Sequence, residues 1–245
     1  MDTETKKSIE VILSPALYPF KQTTRGFITV IIDVLRATTS MVTAFANGVE
    51  KIIPVSELDE AKKYKTLGYL VAAERDGKYL DFADFGNSPF DYMNENVQGK
   101  TIVYSTTNGS HAIGLASDAD ETVIAAFNNI SAVAKWIIQQ EKSVVILCAG
   151  WKNTVNLEDT VCAGLLSRKL IVAGIFFTTD DSTNAAIDLY SNAENDLRGY
   201  LEKAAHRERL RLLGADDSLD YCLTADSEVV VPGMKGAFLV DLLKS

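Results

Sequence analysis

The chain has 245 residues, a formal net charge of −9, and a composition that is 47% hydrophobic and 23% charged. These values are typical of a globular protein whose length suffices for a sizeable core. The acidic balance argues against nucleic-acid and anionic-membrane partners, and no apolar run reaches the roughly 18 residues that a membrane helix needs.

The first stretch in chain order, residues 1–14, is polar and lacks the apolar segment of a secretion signal. The three cysteines, Cys148, Cys162 and Cys222, form no CxxC pair and indicate reduced thiols. Both features favour a cytoplasmic protein.

Apolar runs alternate with helix-like stretches along the rest of the chain. Continuous runs rich in β-branched residues predict strands at 9–15, 27–33, 51–55, 70–74, 101–105, 122–127 and 143–150. The spacing of apolar residues predicts helices at 38–48, 56–67, 109–117, 129–141, 157–173 and 183–213, while 237–243 fits either element. This alternation predicts a three-layer α/β/α fold with a largely parallel or mixed sheet between helices. We expect a single domain over residues 1–245, with 178–186 as the one candidate boundary between two lobes.

The stretch IIDVLRATTS places Asp33 at the end of a predicted strand, with Arg36 after it and Thr38 and Thr39 at a helix start. Functional side chains of α/β proteins gather at the carboxyl ends of strands. A carboxylate suits Mg²⁺, and a guanidinium suits a phosphate, sulfonate or carboxylate group. The alternative is an Asp–Arg pair that only fixes a loop.

The pairing of an acid with an arginine recurs at the end of a later strand, as Glu74 and Arg75. Asp84 and Asn87 follow in a loop that contains glycine and proline. These side chains fit a second part of the same site. A turn-rich surface loop, capped by its Asp and Asn side chains, would have a similar sequence.

A third polar loop, YSTTNGS, follows a strand and opens a helix. Free N–H groups at a helix N-terminus attract anions. Ser105, Thr106, Thr107 and Asn108 add side-chain donors, and Gly109 permits a close approach of the backbone. The alternative is an ordinary helix start capped by Thr107 or Asn108.

Glu158 and Asp159 stand in the first turn of a helix after a fourth strand, where acids also stabilise the helix dipole. The four loops would meet at one edge of a parallel sheet. We therefore predict a Mg²⁺ site and a small polyanionic substrate. The candidate metal ligands are Asp33, Glu74, Asp84, Glu158 and Asp159, and the candidate catalytic residues are Asp33, Arg36, Glu74 and Arg75.

Other phosphatase chemistries fit the sequence less well. Asp33 lacks the second acid of a DxD motif, and neither His111 nor His206 lies in an Arg-His-Gly motif. Cys162 and Arg168 have the spacing C-x₅-R, but the residues between them predict an apolar helix rather than an open phosphate loop. We expect structural roles for both histidines.

Several ordered blocks of the sequence resemble the ComB family of 2-phosphosulfolactate phosphatases. They are DVLRATTS, ERDGKYLDFADFGNSPFDY, GKTIVYSTTNGSHAI, AAFNNISAVA and CAGWKNTVNLEDTVCAG. The resemblance covers about residues 28 to 166 and continues more weakly at 214–232. It implies a three-layer α/β/α enzyme and Mg²⁺-dependent hydrolysis of (2R)-2-phospho-3-sulfolactate to sulfolactate and phosphate, a step of coenzyme M biosynthesis.

The resemblance carries over onto the candidate residues as whole segments, and their individual roles are our expectations. Arg36 and Arg75 would hold phosphate or sulfonate, and a metal-bound water would be the nucleophile. The substrate-binding candidates are Thr38, Thr39, Asn87, Ser105, Thr106, Thr107, Asn108 and Gly109. The alternatives are a phosphatase of another small phospho-acid and a non-catalytic anion-binding protein, and a homo-oligomer stays open.

Overall fold

The apolar runs of the sequence form one mixed sheet in the computed structural model, which describes residues 6–244. Its strands are β1 (Lys7–Ile12), β2 (Phe27–Ile32), β3 (Lys51–Pro54), β4 (Leu70–Arg75), β5 (Lys78–Tyr79), β6 (Thr101–Ser105), β7 (Glu121–Ala125), β8 (Ser143–Cys148), β9 (Phe176–Phe177), β10 (Pro232–Lys235) and β11 (Phe238–Asp241). Its helices are α1 (Ala37–Ala46), α2 (Leu58–Thr66), α3 (Gly109–Leu115), α4 (Ile130–Gln140), α5 (Leu157–Val172), α6 (Asp181–Ala193), α7 (Leu197–Tyr200), α8 (Ala205–Leu212) and α9 (Leu219–Cys222).

The sheet consists of two parallel blocks joined by an antiparallel hairpin. Within residues 6–244 the strand order is β5, β4, β6, β3, β11, β10, β7, β2, β8, β1 and β9. Strands β4, β6 and β3 run parallel, as do β7, β2, β8, β1 and β9. The hairpin pairs with both blocks, since β10 lies against β7 and β11 against β3. The sheet is therefore mixed, as the sequence predicts.

Helices cover both faces of the sheet, which confirms the three-layer α/β/α fold. Along β2, Ile28 and Val30 face a core that includes residues of α4, α5 and α6. Phe27 and Ile31 face the opposite core, which includes residues of α1 and α3. Both faces of β2 are buried, and this explains its continuous apolar sequence.

The predicted helix over 183–213 is wrong in its continuity. The structure divides this stretch into α6, α7 and α8. Asp196 starts α7, because its carboxylate accepts a hydrogen bond from the N–H of Gly199 at 2.9 Å. Ala204 is extended and precedes α8. Local capping thus outweighs the helical spacing of leucines and turns the chain back toward the sheet.

Short strands account for the other differences between prediction and structure. Residues 237–243, which fit either element, contain β11, while β5, β9 and β10 are not predicted from the sequence. β5 and β9 have two residues each, and β10 begins with Pro232 and Gly233, which are depleted in strands. The strand predicted at 9–15 corresponds to β1. In the sheet, β1 lies next to the edge strand β9. No helix between residues 6 and 244 is long and apolar enough to cross a membrane.

Gly164 sets the distance between α5 and α6. A Cβ atom at this position would clash with the backbone carbonyl of Ala186. We expect Gly164→Ala to lower the free energy of unfolding by about 1–3 kcal/mol, because the helices would have to separate. Urea denaturation would measure the loss. The control is Gly114→Ala in α3, where a new Cβ would meet only Ser56 Oγ at 3.9 Å. Equal stability of the two variants would contradict the role of Gly164.

Candidate active site

Asp33 lies directly after β2, at the carboxyl end of the strand. Its side chain is buried, and Oδ1 accepts a hydrogen bond from the N–H of Ala37 in the first turn of α1 at 3.4 Å. Burial raises the pKa of Asp33 to about 7; His206 acts in the opposite direction, and the Glu74 and Glu158 carboxylates contribute to the increase. Asp33 is therefore a carboxylate whose negative charge the surrounding protein compensates incompletely.

Glu74 lies near the end of β4 and is held by the turn that follows. Oε1 accepts hydrogen bonds from the Gly77 N–H at 2.6 Å and from Thr107 Oγ1 at 3.1 Å. Oε2 accepts a longer bond from Asn87 Nδ2, and the carbonyl oxygen of the same amide accepts from Tyr104. These contacts fix the Glu74 carboxylate between two of the predicted loops.

A small cavity of about 20 Å³ separates Asp33 from Glu74; we call it the inner cavity. This volume exceeds the roughly 10–15 Å³ that one water molecule requires. The cavity has room for a single water or ion and is far too small for an organic acid. Its lining residues come from the ends of several strands and from α8: Asp33, Leu35, Arg36, Glu74, Gly77, Asn87, Asn108, Trp151, His206 and Leu210.

A second, larger cleft of about 430 Å³ adjoins the inner cavity; we call it the outer cleft. The two share Arg36, Glu74, Gly77 and Asn87, which form the boundary between them. The volume of the outer cleft falls in the usual range for small-molecule sites. The other lining residues are Lys78, Tyr79, Gly86, Ser88, Asp91, Leu213 and Ala215.

Arg36 crosses the boundary between the two spaces. Its Nη1 donates to the carbonyl of Ala215 at 3.1 Å and lies 3.9 Å from the Asp217 carboxylate. Its buried Nε and the buried Ser88 Oγ have no hydrogen-bond partner among the described residues. Unpartnered buried donors are costly, and the two residues that carry them line a cleft that an anionic ligand could enter.

The loop from Ser105 to Gly109 serves mainly to fix the site. Ser105 accepts from Arg75, and Thr106 Oγ1 accepts from the Ser110 N–H in the first turn of α3. Asn108 is the helix N-cap without a side-chain capping bond; instead its Oδ1 accepts from the Lys152 N–H. A Cβ at Gly109 would lie 3.2 Å from Asp33 Oδ2, so glycine permits this loop to approach Asp33. Of the five loop residues from Ser105 to Gly109, Asn108 is the one that lines the inner cavity.

Three further candidates support the site without lining either space. Thr38 Oγ1 accepts from the Asp33 N–H, and Thr39 Oγ1 donates to the Val34 carbonyl. Arg75 donates to the carbonyls of Glu74 and Ser56 and to Ser105. These side chains hold the loops in place, so their geometry fits positioning roles better than substrate contact.

The five carboxylates proposed as metal ligands do not form one ligand set. In residues 6–244 no group of three or more His, Cys, Asp or Glu side chains is arranged to hold a metal ion. Asp84 lies toward the start of β4, where it accepts from the Val71 N–H and pairs with Lys65 at 2.5 Å. Asp33 and Glu74 are the two acids that line the inner cavity.

Asp159 and Glu158 have other partners. The Asp159 carboxylate accepts from the N–H groups of Val34 at 2.8 Å and Gly150 at 3.0 Å, and so joins the loops after β2 and β8. Burial raises the pKa of Asp159 well above its usual value. Glu158 is 1% exposed, and its Oε1 lies 3.2 Å from His206 Nδ1.

Sequence reasoning missed the contribution of α8 to the site. The charged stretch around 202–211 looks like a solvated face, yet His206 and Leu210 line the inner cavity and Arg207 is buried. His206 and Leu210 are four residues apart and share one helix face, a signal present in the sequence. Trp151 was also missed; its ring lies 5.3 Å from that of His206.

The competing motif residues lie outside the cavities. Cys162 is buried in α5, where burial raises its thiol pKa well above the usual value. Arg168, on the same helix, pairs with Glu194 at 2.7 Å. His111 is exposed on α3. The C-x₅-R spacing is therefore part of a helix, as its sequence predicts.

Comparison with known proteins identifies the family. A sequence model of the 2-phosphosulpholactate phosphatase family matches residues 12–237. A probable 2-phosphosulfolactate phosphatase from Caldanaerobacter subterraneus subsp. tengcongensis is 37% identical over 86% of this chain and 88% of its own. Relatives of the same name from Clostridium perfringens (strain SM101) and Cyanothece sp. (strain PCC 7425) are 37% and 40% identical, over 88% and 82% of this chain and 89% and 86% of theirs.

The chain belongs to the 2-phosphosulfolactate phosphatase family. The resemblance of its sequence blocks to this family is thereby confirmed, and it extends beyond residue 166 to include most of the C-terminal third. Membership in a family of phosphatases identifies the chain as an enzyme.

The raised pKa of Asp33 predicts that the stability of the fold depends on pH. A carboxyl group with a pKa of 3.8 when unfolded and about 7 when folded makes the fold less stable as pH rises between these values. Asp33→Asn removes this penalty. In metal-free buffer at pH 8 we expect the variant to be more stable than the wild type by about 1–4 kcal/mol, a gain that vanishes toward pH 4.

Urea denaturation from pH 4 to 8 in the presence of EDTA would measure this difference. Asp188→Asn, on the exposed face of α6, is the control and should show no such trend. A stability difference for Asp33→Asn that stays constant across this pH range would contradict the raised pKa.

Proposed function

We propose that this member of the family hydrolyses the phosphate ester of (2R)-2-phospho-3-sulfolactate with the help of Mg²⁺. The observation that carries the proposal is the pair of buried carboxylates, Asp33 and Glu74, which line a small cavity together with Arg36, next to the outer cleft. The curated relatives carry the name of this activity.

The inner cavity fits Mg²⁺ by its donor set. Mg²⁺ is usually held by one or two carboxylates and completes its octahedron with waters and substrate phosphate oxygens. Asp33 and Glu74 would supply the two carboxylates, and a cation would relieve the repulsion that helps to raise the pKa of Asp33. When bound, Mg²⁺ would neutralise negative charge on the phosphoryl oxygens.

The outer cleft fits the rest of the substrate, which carries a sulfonate and a carboxylate. Arg36 and Lys78 are the cationic residues of its lining, and Asp91 is engaged by the Gly86 N–H. The unpartnered Arg36 Nε and Ser88 Oγ could donate to anionic oxygens there. Arg36 would hold the phosphoryl group at the boundary, and Lys78 would attract the distal acid groups.

The cellular setting follows from the substrate. Sulfolactate formation belongs to coenzyme M biosynthesis, and three cysteines that are free and buried suit the cytoplasm. We therefore propose a cytoplasmic enzyme of that route, whether it acts as a monomer or as a homo-oligomer.

Phosphate release from 2-phosphosulfolactate tests the metal assignment. We expect release with Mg²⁺, its loss in EDTA, and a fall in kcat of about 10²-fold or more for Asp33→Ala and Glu74→Gln, because metal and ligand act as a unit. Asp84→Asn is the matched control and should keep near-normal turnover, since its carboxylate contacts Val71 and Lys65 instead.

Three outcomes would revise the proposal. Activity that survives EDTA would remove the metal. Normal turnover of Asp33→Ala would remove Asp33 from the ligand set. Faster release from 2-phospholactate or another phospho-acid than from 2-phosphosulfolactate would keep the phosphatase and change its substrate.

Lys78 provides a separate test of substrate choice. We expect Lys78→Gln to raise KM for 2-phosphosulfolactate severalfold, about what one exposed ion pair contributes. The KM for 2-phospholactate, which lacks the sulfonate, should change less. Steady-state kinetics on both esters would measure the difference, and Lys62→Gln on α2 is the control. An equal change for the two esters would exclude a sulfonate contact.

A further inference from the structure

Asn87 contributes to the lining of both the inner cavity and the outer cleft. The nitrogen of its side-chain amide donates to Glu74 Oε2 across 3.4 Å, which is long for an N–H···O bond. An amide nitrogen carries two hydrogens, and in residues 6–244 Nδ2 has no partner besides Glu74. Asn87 therefore retains a free N–H donor at the boundary between the two spaces, and the proposed function does not yet use it.

Tyr104 determines which end of this amide faces Glu74. Its hydroxyl donates to Asn87 Oδ1 at 2.6 Å, and its side chain on β6 is fully buried. If the amide turned over, its N–H groups would meet this hydroxyl, and the buried hydroxyl proton would lose its acceptor. Ser40 Oγ holds the Asn87 backbone separately, by donating to its carbonyl at 2.9 Å. The tyrosine hydroxyl thus acts on the side-chain amide alone.

This restraint matters once a cation lies beside Glu74. Amide oxygens are ligands of hard cations. An unrestrained Asn87 would turn Oδ1 toward a cation in the inner cavity, and its N–H groups would then point away from the boundary. Because Tyr104 occupies Oδ1, the amide keeps its nitrogen on the side of Glu74, at the boundary where the proposed function places the phosphoryl group.

We propose that Asn87 Nδ2 donates its second hydrogen to a phosphoryl oxygen of the substrate, and that Tyr104 is the positioning residue that keeps this donor in place. Arg36 lines the same boundary, so the phosphoryl group would meet one charged donor and one neutral donor. Asn87 is a substrate-binding candidate from the sequence, whereas Tyr104 lies in an apolar run and carries no such signal. This inference rests on the proposed function and assigns two further roles within it.

Tyr104→Phe removes the hydroxyl and keeps the ring. Calorimetric titration of inorganic phosphate in the presence of Mg²⁺ should give a dissociation constant about tenfold higher than for the wild type, because a hydrogen bond to a charged group is lost. Titration of Mg²⁺ alone should show an equal or higher affinity, since Oδ1 becomes free to turn toward the cation. A general loss of structure would instead weaken both affinities, and that result would overturn the proposal.

Tyr92→Phe is the matched control. Tyr92 is as deeply buried as Tyr104, and the centroids of the two rings are 6.1 Å apart. Its hydroxyl donates to the carbonyl of Gly86, so it holds the same loop through the backbone and not through the Asn87 amide. We expect Tyr92→Phe to keep the wild-type affinities for phosphate and Mg²⁺, even where its Tm falls as far as that of Tyr104→Phe. Equal losses of phosphate affinity in the two variants would contradict a role specific to Tyr104.

A double-mutant cycle shows whether Tyr104 acts through Asn87. Asn87→Ala removes the donor and should weaken phosphate binding at least as much as Tyr104→Phe does. In the Asn87→Ala background, Tyr104→Phe should change phosphate binding by less than about twofold, because its target is already absent. Losses that multiply would overturn the positioning role. Asn87→Asp keeps an acceptor for Tyr104 but has no N–H, so normal phosphate binding by this variant would exclude the contact with the phosphoryl group.

Steady-state kinetics separates failure of this inference from failure of the proposed function. We expect KM for 2-phosphosulfolactate to rise about tenfold in Tyr104→Phe, with a smaller change in kcat, because the donor binds the substrate before it reacts. Wild-type protein that releases no phosphate from 2-phosphosulfolactate or 2-phospholactate overturns the proposed function itself. An active wild type, with unchanged KM and phosphate affinity in Tyr104→Phe and Asn87→Ala, overturns only the roles assigned to these two residues.

Discussion

The burial of several carboxylates close together is the constraint on which the site depends. Asp33, Glu74, Glu158 and Asp159 are all buried. Burying an anion is costly unless donors or positive charge compensate for it. Backbone N–H groups compensate for Asp159, a turn and a threonine for Glu74, and a histidine for Glu158. The Asp33 carboxylate accepts a long hydrogen bond, 3.4 Å, from the Ala37 N–H, and a cation at the inner cavity would add positive charge beside it.

The same compensation explains why the loops have their shapes. Asp159 can accept two backbone N–H groups only if the loops after β2 and β8 lie side by side. Glu74 needs the tight turn at Gly77, and this turn brings Lys78 to the outer cleft. The acids therefore organise the backbone around them, and residues expected to bind substrate, such as Thr38, serve this organisation instead.

Much of the fold can be read from the sequence because both faces of the strands are covered. β2 is buried at every position, and the loops that follow such strands are the natural places for function. This reasoning finds Asp33, Arg36, Glu74 and Asn87, all of which line the inner cavity. It fails for Asp84, because a loop that doubles back along β4 has no periodic signal.

The contribution of α8 could not be read in the same way. His206 stands in a run of charged residues, and its burial depends on how α6 ends and α7 and α8 turn back over the sheet. Those turns are set by single caps such as Asp196, while the helical spacing of leucines continues through them. A local sequence pattern predicts secondary structure correctly where tertiary packing agrees with the pattern. The prediction fails where a single capping side chain starts a new helix and changes the direction of the chain.

The hairpin of β10 and β11 has a consequence for how the chain folds during synthesis. Residues 232–241 join two parallel blocks whose strands all precede them in the sequence. Until the ribosome has released these residues, β3 and β7 each expose an unpaired edge of a partly built sheet. Such edges can pair with other nascent chains. Completion of the sheet therefore waits for residues 232–241, and chaperones that shield open strand edges would matter most until these residues emerge.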